Sequence, residues 1–220
     1  MKYDTLLFDL DGTLTDPFEG ITNAIIYALG RLGIEESDKN KLTAFIGPPL
    51  TESFSEFYGM SKDDSLRAVS LYREYYGAKG LYENKLYPQM AETLRALRQE
   101  GYRLIVATCK PEVFAIKIAE RFKIAQYFDF IAGATLDGTR TEKADVIRHA
   151  LAMCAVADRG RAIMIGDRKH DILGARAVGL KSVGVLYGYG SEEELNAAGA
   201  DAIISAPDQI SAAIRQLEKI

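Results

Sequence analysis

The segment Thr5–Asp16 decides the fold and reads TLLFDLDGTLTD. Its first four residues carry no charge, which is typical of a short buried strand. Side chains two residues apart on an extended chain point to the same side, so Asp9 and Asp11 would project together from the end of this strand. Gly12 allows a sharp backbone turn that would present its N–H to an anion. The segment therefore predicts a buried strand that ends in a pair of carboxylates.

Five further apolar runs follow, and helix-length segments separate most of them. The runs are Leu104–Ala107, Phe130–Ala132, Ala162–Ile165, Ser182–Val185 and Ala202–Ile204. The helix-length segments are Gln89–Glu100, Glu112–Phe122, Glu142–Cys154, His170–Val178 and Glu192–Ala198. Apolar strands that alternate with helices are typical of a parallel sheet covered on both faces. The sequence therefore predicts an α/β fold with a Rossmann-like parallel sheet, whose ligand would lie beyond the carboxyl ends of the strands.

A second acidic segment, Gly166–Asp171, reads GDRKHD and directly follows the fourth predicted strand. Its Asp167 and Asp171 would meet Asp9 and Asp11 at neighbouring strand ends. Four unpaired carboxylates repel one another, and a hard divalent cation removes that conflict. Carboxylate oxygens suit magnesium, so we expect a magnesium site here.

The first acidic motif has two other interpretations. Asp and Gly are common in polar turns, so Asp9–Gly12 on its own could be only a turn. A calcium loop of the EF-hand type needs a different glycine spacing and a distal glutamate, neither of which is present. The second acidic motif, placed after another strand, favours a catalytic site.

Phosphate-binding groups are also predicted at the strand ends. Thr108 ends the second strand with a hydroxyl donor, and Cys109, Lys110 and Pro111 lead into a helix whose N-terminus favours anions. Lys143 lies in the first turn of the helix after the third strand, from which its ammonium can reach the sheet edge. Alone, Thr108 could be a turn cap and Lys143 an exposed surface lysine.

Residues 17–85 break the alternation of strands and helices. The segment shows only helical patterns, punctuated by Gly33, Gly47–Pro49, Gly59 and Gly80. We expect a helical insert at 17–85, lodged within an α/β core made of residues 1–16 and 86–220. Aromatic residues at helical spacing in this insert favour a small core over a ligand-binding box.

Composition limits the partners. The 220 residues include 27 basic and 31 acidic side chains, and no basic block is present. Nucleic acid is therefore not an expected partner. The N-terminus shows neither a signal peptide nor a transmembrane span, so we expect no membrane association. Two distant cysteines, Cys109 and Cys154, favour free thiols in a reducing compartment, which predicts a cytoplasmic protein.

Four motifs in order resemble those of the haloacid dehalogenase superfamily. They are Asp9-x-Asp11-Gly12-Thr13-Leu14-x-Asp16, then Thr108, then Lys143, then Gly166-Asp167-x-x-x-Asp171. The helical segment after the first motif is similar to the cap of the phosphoglycolate phosphatase-like branch. Stretches at Ile46–Leu50, Thr108–Pro111 and Leu136–Asp145 are most similar to 5′-nucleotidases or phosphoglycolate phosphatases within that branch. Cys109 departs from the Ser or Asn that is more usual there.

The resemblance implies a magnesium-dependent phosphomonoester hydrolase with an aspartyl-phosphate intermediate. Asp9 would be the nucleophile and Asp11 the general acid and base. Magnesium would be held by the Asp9 carboxylate, the Asp11 main-chain carbonyl and Asp167, with Asp171 ordering them. Phosphate would be bound by Gly12, Thr108, Cys109, Lys110 and Lys143. The expected substrate is a small phosphorylated metabolite, either a nucleoside 5′-monophosphate or phosphoglycolate.

Three alternatives use related residues. A haloalkanoic acid dehalogenase shares the fold and the nucleophile, but it needs neither magnesium nor an aspartate at position 11. A sugar-phosphate mutase would use the same residues and return the phosphoryl group to its substrate. A regulatory module phosphorylated at Asp9 would lack a built-in general base, and Asp11 argues against it.

Overall fold

The computed structural model describes residues 2–219, so Met1 and Ile220, the ends of the predicted core, lie outside the described residues. Within this range the strands are β1 (Thr5–Phe8), β2 (Thr15–Asp16), β3 (Lys85–Leu86), β4 (Arg103–Pro111), β5 (Phe130–Ala134), β6 (Ala162–Gly166), β7 (Lys181–Val185) and β8 (Ala202–Ile204). The α-helices are α1 (Phe18–Arg31), α2 (Leu50–Tyr58), α3 (Lys62–Ala78), α4 (Met90–Gln99), α5 (Glu112–Arg121), α6 (Lys143–Met153), α7 (Lys169–Val178), α8 (Glu192–Ala198) and α9 (Ile210–Leu217).

Six strands form one parallel sheet in the order β5-β4-β1-β6-β7-β8. The first strand is central: Thr5–Phe8 pairs with Arg103–Val106 on one side and with Ala162–Ile165 on the other. Every residue of β1 and β6 is buried, because helices cover both faces of a parallel sheet. The predicted α/β fold with a parallel sheet is confirmed.

One face of the sheet packs against α6 and α7. Leu7, Ile105 and Met164 project from three adjacent strands into a cluster with Val146 and Ala175 of these helices, and all five are fully buried. This packing fixes the start of α6 against the carboxyl end of the sheet, where the predicted site residues lie.

The sequence prediction differs from the structure in several elements. Strand β4 continues to Pro111, so Thr108, Cys109 and Lys110 lie inside a strand and not in the loop after it. Helix α9 was not predicted, although its apolar residues recur at helical spacing. Lys85, the last residue of the segment expected to lack strands, begins β3.

The described residues divide into two compact units. One contains the residues up to Thr15 together with those from Leu86 onward, and the other is Asp16–Lys85. The second unit contains α1, α2 and α3. Among its aromatic residues Phe54 and Tyr76 are buried, whereas Phe57 is 49% exposed. At the two points where the chain passes between the units, β2 and β3 pair as a small separate sheet.

Two further features concern the whole described chain. Cys109 and Cys154 are both free thiols. Over residues 2–219, no helix combines the length and the apolar character that crossing a bilayer requires.

Candidate active site

The predicted site residues come from three adjacent strands and two helices. Asp9 directly follows β1, Asp167 directly follows β6, and Thr108 lies near the end of β4. Since these strands are parallel neighbours, their carboxyl ends meet at one edge of the sheet. Lys143 begins α6 and Asp171 lies in the first turn of α7, so both helices bring a charged side chain to that edge.

Three buried carboxylates form the centre of the site. Each of Asp9, Asp167 and Asp171 offers an oxygen, and these oxygens all lie within 4.8 Å of one another. Burial raises the pKa of Asp171 to about 6; the Lys143 ammonium opposes this rise and the Asp9 carboxylate adds to it. Burial, together with Asp171 and Asp9, holds the pKa of Asp167 well above its usual range. The three carboxylates therefore make a site that favours a cation, and hard oxygen ligands of this kind suit a divalent ion.

Lys143 lies among these carboxylates. Its Nζ is 2.8 Å from Asp9 Oδ1 and 2.7 Å from Asp171 Oδ1, and it donates a hydrogen bond to the carbonyl of Ala107 at 3.0 Å. Burial works against the charged form, but the Asp171 and Asp9 carboxylates outweigh it and raise the pKa of Lys143 well above its ordinary value. Lys143 is thus a buried cation and not the surface lysine that its sequence position also allowed.

Asp11 is near the three carboxylates but has a different partner. Its Oδ2 accepts a hydrogen bond from Lys110 Nζ at 2.5 Å, and both side chains are almost completely buried. Burial raises the pKa of the Asp11 carboxyl, while the Lys110 ammonium acts in the opposite direction. The Asp11 side chain does not belong to the group that could hold a metal ion.

Thr108 and Cys109 lie on the same strand as Lys110. The Thr108 hydroxyl is buried, and its oxygen accepts a hydrogen bond from the Lys110 main-chain N–H at 3.2 Å. Accepting this bond leaves the hydroxyl proton able to donate to an anion. Burial raises the pKa of the Cys109 thiol to about 12, so Cys109 is a neutral group at the site.

The structure gives Gly12 a different role from the predicted contact with an anion. Its N–H donates to the carbonyl of Thr15 at 2.8 Å, so this N–H is not available for the predicted contact with an anion. Its φ of 85° lies in the left-handed region that glycine adopts without strain. A β-carbon at this position would collide with the Asp167 carboxylate. Gly12 therefore makes a tight turn that leaves room for Asp167.

The sequence analysis did not predict the hydrogen bonds and close packing around the Asp167 side chain. The Thr13 hydroxyl donates to Asp167 Oδ1 at 3.2 Å, and the Tyr189 main-chain N–H donates to Asp167 Oδ2 at 2.9 Å. A β-carbon at Gly188 would collide with the Asp167 side chain and with the Gly12 carbonyl. The available signal was the segment Tyr187–Gly190, YGYG, which follows the fifth predicted strand at the same edge of the sheet.

Known proteins resemble this chain over most of its length. The sequence profile described as haloacid dehalogenase-like hydrolase matches residues 6–185. A 5′-nucleotidase from Pseudomonas aeruginosa is 49% identical over 197 residues, which cover 90% of this chain and 89% of that protein. A Mycobacterium tuberculosis protein named tyrosine-protein kinase PtkA is 41% identical over 186 residues, which cover 84% of this chain and 62% of that protein.

Similarity extends to solved structures. The crystal structure of a predicted phosphatase from Clostridium acetobutylicum matches with a TM-score of 0.93 at 45% identity, covering 98% of this chain and 99% of that chain. The profile match spans most of the sequence, and its range includes the positions of all four motifs. The chain therefore belongs to the haloacid dehalogenase-like hydrolase family.

Proposed function

We propose that this chain is a magnesium-dependent phosphomonoester hydrolase that acts through an aspartyl-phosphate at Asp9. The observation that carries this proposal is the buried group of Asp9, Asp167 and Asp171 around the Lys143 ammonium. The substrate is a small phosphorylated metabolite. The name of the Pseudomonas relative favours a nucleoside 5′-monophosphate, and phosphoglycolate is the other predicted substrate.

The donor set fits magnesium. The Lys143 ammonium contacts Asp9 and Asp171, and Asp167 lies beside them, so the cluster keeps an excess of negative charge when its members are ionised. Magnesium would be held by Asp9, Asp167 and the main-chain carbonyl of Asp11, with Asp171 ordering these ligands. When bound, it would neutralise charge on the phosphoryl oxygens and on the carboxylates around them.

In the first half-reaction Asp9 is the nucleophile. A carboxylate oxygen of Asp9 forms a bond to phosphorus while the ester P–O bond breaks, and the electron pair leaves with the ester oxygen. Asp11 gives its proton to that oxygen and so releases an alcohol. The Lys143 ammonium and the Thr108 hydroxyl stabilise the negative charge on the phosphoryl oxygens.

In the second half-reaction water attacks the aspartyl-phosphate. Asp11, now a carboxylate, takes a proton from the attacking water as the bond between phosphorus and the Asp9 oxygen breaks. Inorganic phosphate leaves, and Asp9 and Asp11 return to their starting forms. This second role of Asp11 favours a hydrolase over a module that stays phosphorylated.

The segment 17–85 would act as a cap on the catalytic core of residues 1–16 and 86–220. In this proposal the cap excludes water during the reaction and selects the group attached to the phosphate. The chain spans 62% of the length of the relative named as a tyrosine kinase, and we propose no kinase activity for it.

The test is a phosphate-release assay on a panel of nucleoside 5′-monophosphates, phosphoglycolate and sugar phosphates. We expect release of inorganic phosphate that excess chelator abolishes and added magnesium restores. Isomerised sugar phosphate without phosphate release would identify a mutase, and phosphate that stays on the protein would identify a regulatory module. Full activity in chelator would contradict the magnesium proposal.

A further inference from the structure

We propose that Lys110 is a positioning residue that orients Asp11 towards the leaving group, and not a phosphate-binding residue. The inference rests on the proposed function, because it assigns Lys110 to the general acid of that reaction. The sequence predicts that Lys110 binds phosphate, but the structure places its ammonium on Asp11.

The geometry of Asp11 separates its two carboxylate oxygens. Oδ2 accepts the hydrogen bond from Lys110 Nζ at 2.5 Å. Oδ1 is buried and has no hydrogen-bond partner among residues 2–219. A buried carboxylate oxygen without a partner is costly, so its persistence in a catalytic site indicates a partner supplied by the reaction. The oxygen held by Lys110 fixes the direction of the other one.

Strand β4 places Lys110 for this contact. Thr108 and Lys110 are both buried in the part of this strand where its register with β5 shifts, and the Lys110 ammonium reaches Asp11 from there. The Lys110 side chain is 4% exposed, and its main-chain N–H is tied to Thr108 Oγ1. Lys110 is therefore held at both its main chain and its ammonium.

Lys143 already serves the centre where phosphate would bind. Its ammonium contacts Asp9 and Asp171, whereas Lys110 contacts Asp11. The two buried lysines thus divide between the nucleophile and the general acid. Replacing Lys143 should therefore affect the nucleophile and its surroundings, whereas replacing Lys110 should affect proton transfer by the general acid.

The consequence is a dependence on the leaving group. When the ester bond breaks, the Asp11 Oδ1–H bond also breaks, its proton goes to the ester oxygen, and Asp11 keeps the electron pair. An alkoxide is a poor leaving group and needs that proton, whereas p-nitrophenolate leaves without it. A misdirected Asp11 should therefore slow the first half-reaction of an alkyl ester far more than that of the aryl ester.

The experiment compares adenosine 5′-monophosphate with p-nitrophenyl phosphate in Lys110→Met and in a control, Lys117→Met, which alters an exposed lysine on the following helix. The measurement is the rate constant of the first half-reaction, followed by rapid quench in a single turnover with enzyme in excess. In Lys110→Met we expect it to fall about 100-fold for the nucleotide, with substrate affinity little changed, and less than about tenfold for release of p-nitrophenolate. Lys117→Met should match the wild type. Lys110→Arg, which keeps the charge, should recover part of the loss on the nucleotide.

Asp11→Asn provides the internal standard. In the first half-reaction this variant should also lose more activity on the nucleotide than on p-nitrophenyl phosphate. If Asp11→Asn shows no such difference, the proposed function itself is contradicted. With that difference present, equal losses for both esters in the rate constant of the first half-reaction in Lys110→Met, or a loss of substrate affinity alone, would overturn the positioning role. If Lys110→Met does not fold, as checked by circular dichroism, the same comparison is made with Lys110→Arg, for which equal losses again overturn the inference.

Discussion

Two buried lysines face carboxylates at the same edge of the sheet, yet their surroundings differ in charge. Lys143 contacts Asp9 and Asp171, and Asp167 completes that group. Lys110 contacts Asp11. The first cluster has three carboxylates for one ammonium, whereas the second is a pair of opposite charges.

The difference explains which of the two clusters suits a metal ion. Burial, together with Asp171 and Asp9, raises the pKa of Asp167 well above its usual range. Burial, with a further contribution from Asp9, raises the pKa of Asp171 to about 6. A bound divalent cation would offset the free-energy cost of keeping these buried carboxylates ionised. The pair of Lys110 and Asp11 needs no further cation, so it is suited to holding one carboxylate in a fixed direction.

The largest effect is expected when the nucleophile is lost from the carboxylate cluster. Asp9→Asn keeps the shape of the side chain, but its amide cannot attack phosphorus as an anion. Turnover should fall on the order of a thousand-fold or more. The measurement is phosphate release under saturating magnesium, with circular dichroism to show that the fold is retained.

The matched control for this prediction is Asp145→Asn. Asp145 has the same side chain, but it is 53% exposed on α6 and pairs with Arg148 there. Its substitution should leave turnover within about twofold, because exposed pairs of this kind contribute little. Turnover of Asp9→Asn within tenfold of the wild type would exclude Asp9 as the nucleophile.

A second prediction uses the difference in charge directly. Removing either buried ammonium, in Lys143→Met or Lys110→Met, should lower the free energy of unfolding by about 3 kcal/mol or more, because a buried charge loses its partner. Magnesium can replace the missing charge only in the carboxylate cluster. The rise in melting temperature on adding magnesium should therefore be larger for Lys143→Met than for Lys110→Met. Equal rises would show that the two clusters do not differ as described.

A smaller effect is expected from the loop beside the carboxylate cluster. In Gly188→Ala the new methyl group would push Asp167 out of place. Magnesium affinity, measured by isothermal titration calorimetry, should fall about tenfold or more, as for other groups that orient metal ligands. Gly30→Ala is the control, because a β-carbon there meets open space within α1. Unchanged affinity in Gly188→Ala would remove this loop from the site.

Sequence reasoning succeeded where side chains carry the signal. The strand at Thr5–Phe8 and its two neighbours are continuous apolar runs. Charged residues that directly follow such buried strands indicate a functional site at the edge of the sheet. Because neighbouring parallel strands end at the same edge of the sheet, these charged residues come together once the strands are assigned. The α/β fold could be predicted for that reason, and the same logic selected Asp9, Asp167, Asp171 and Lys143 as candidates.

The remaining features depend on tertiary contacts. A lysine at position 110 can reach either a phosphate or a carboxylate, and only the position of Asp11 decides between them. The Gly12 N–H is taken by Thr15 because the turn is tight. Tyr189 contributes a main-chain N–H, which every residue except proline has, so its side chain does not predict its contact with Asp167, and the only signal was the glycines of Tyr187–Gly190.

The central claim is that a phosphoryl group passes through Asp9 and that Asp11 then assists its hydrolysis. The most direct measurement is a rapid-quench experiment on Asp11→Asn with p-nitrophenyl phosphate and magnesium, followed by peptide mapping of the quenched protein. Because an amide cannot take a proton from water, we expect a burst of p-nitrophenolate equal to the amount of enzyme, slow turnover after it, and phosphate on Asp9. Turnover without a burst, or phosphate on any other residue, would contradict the account.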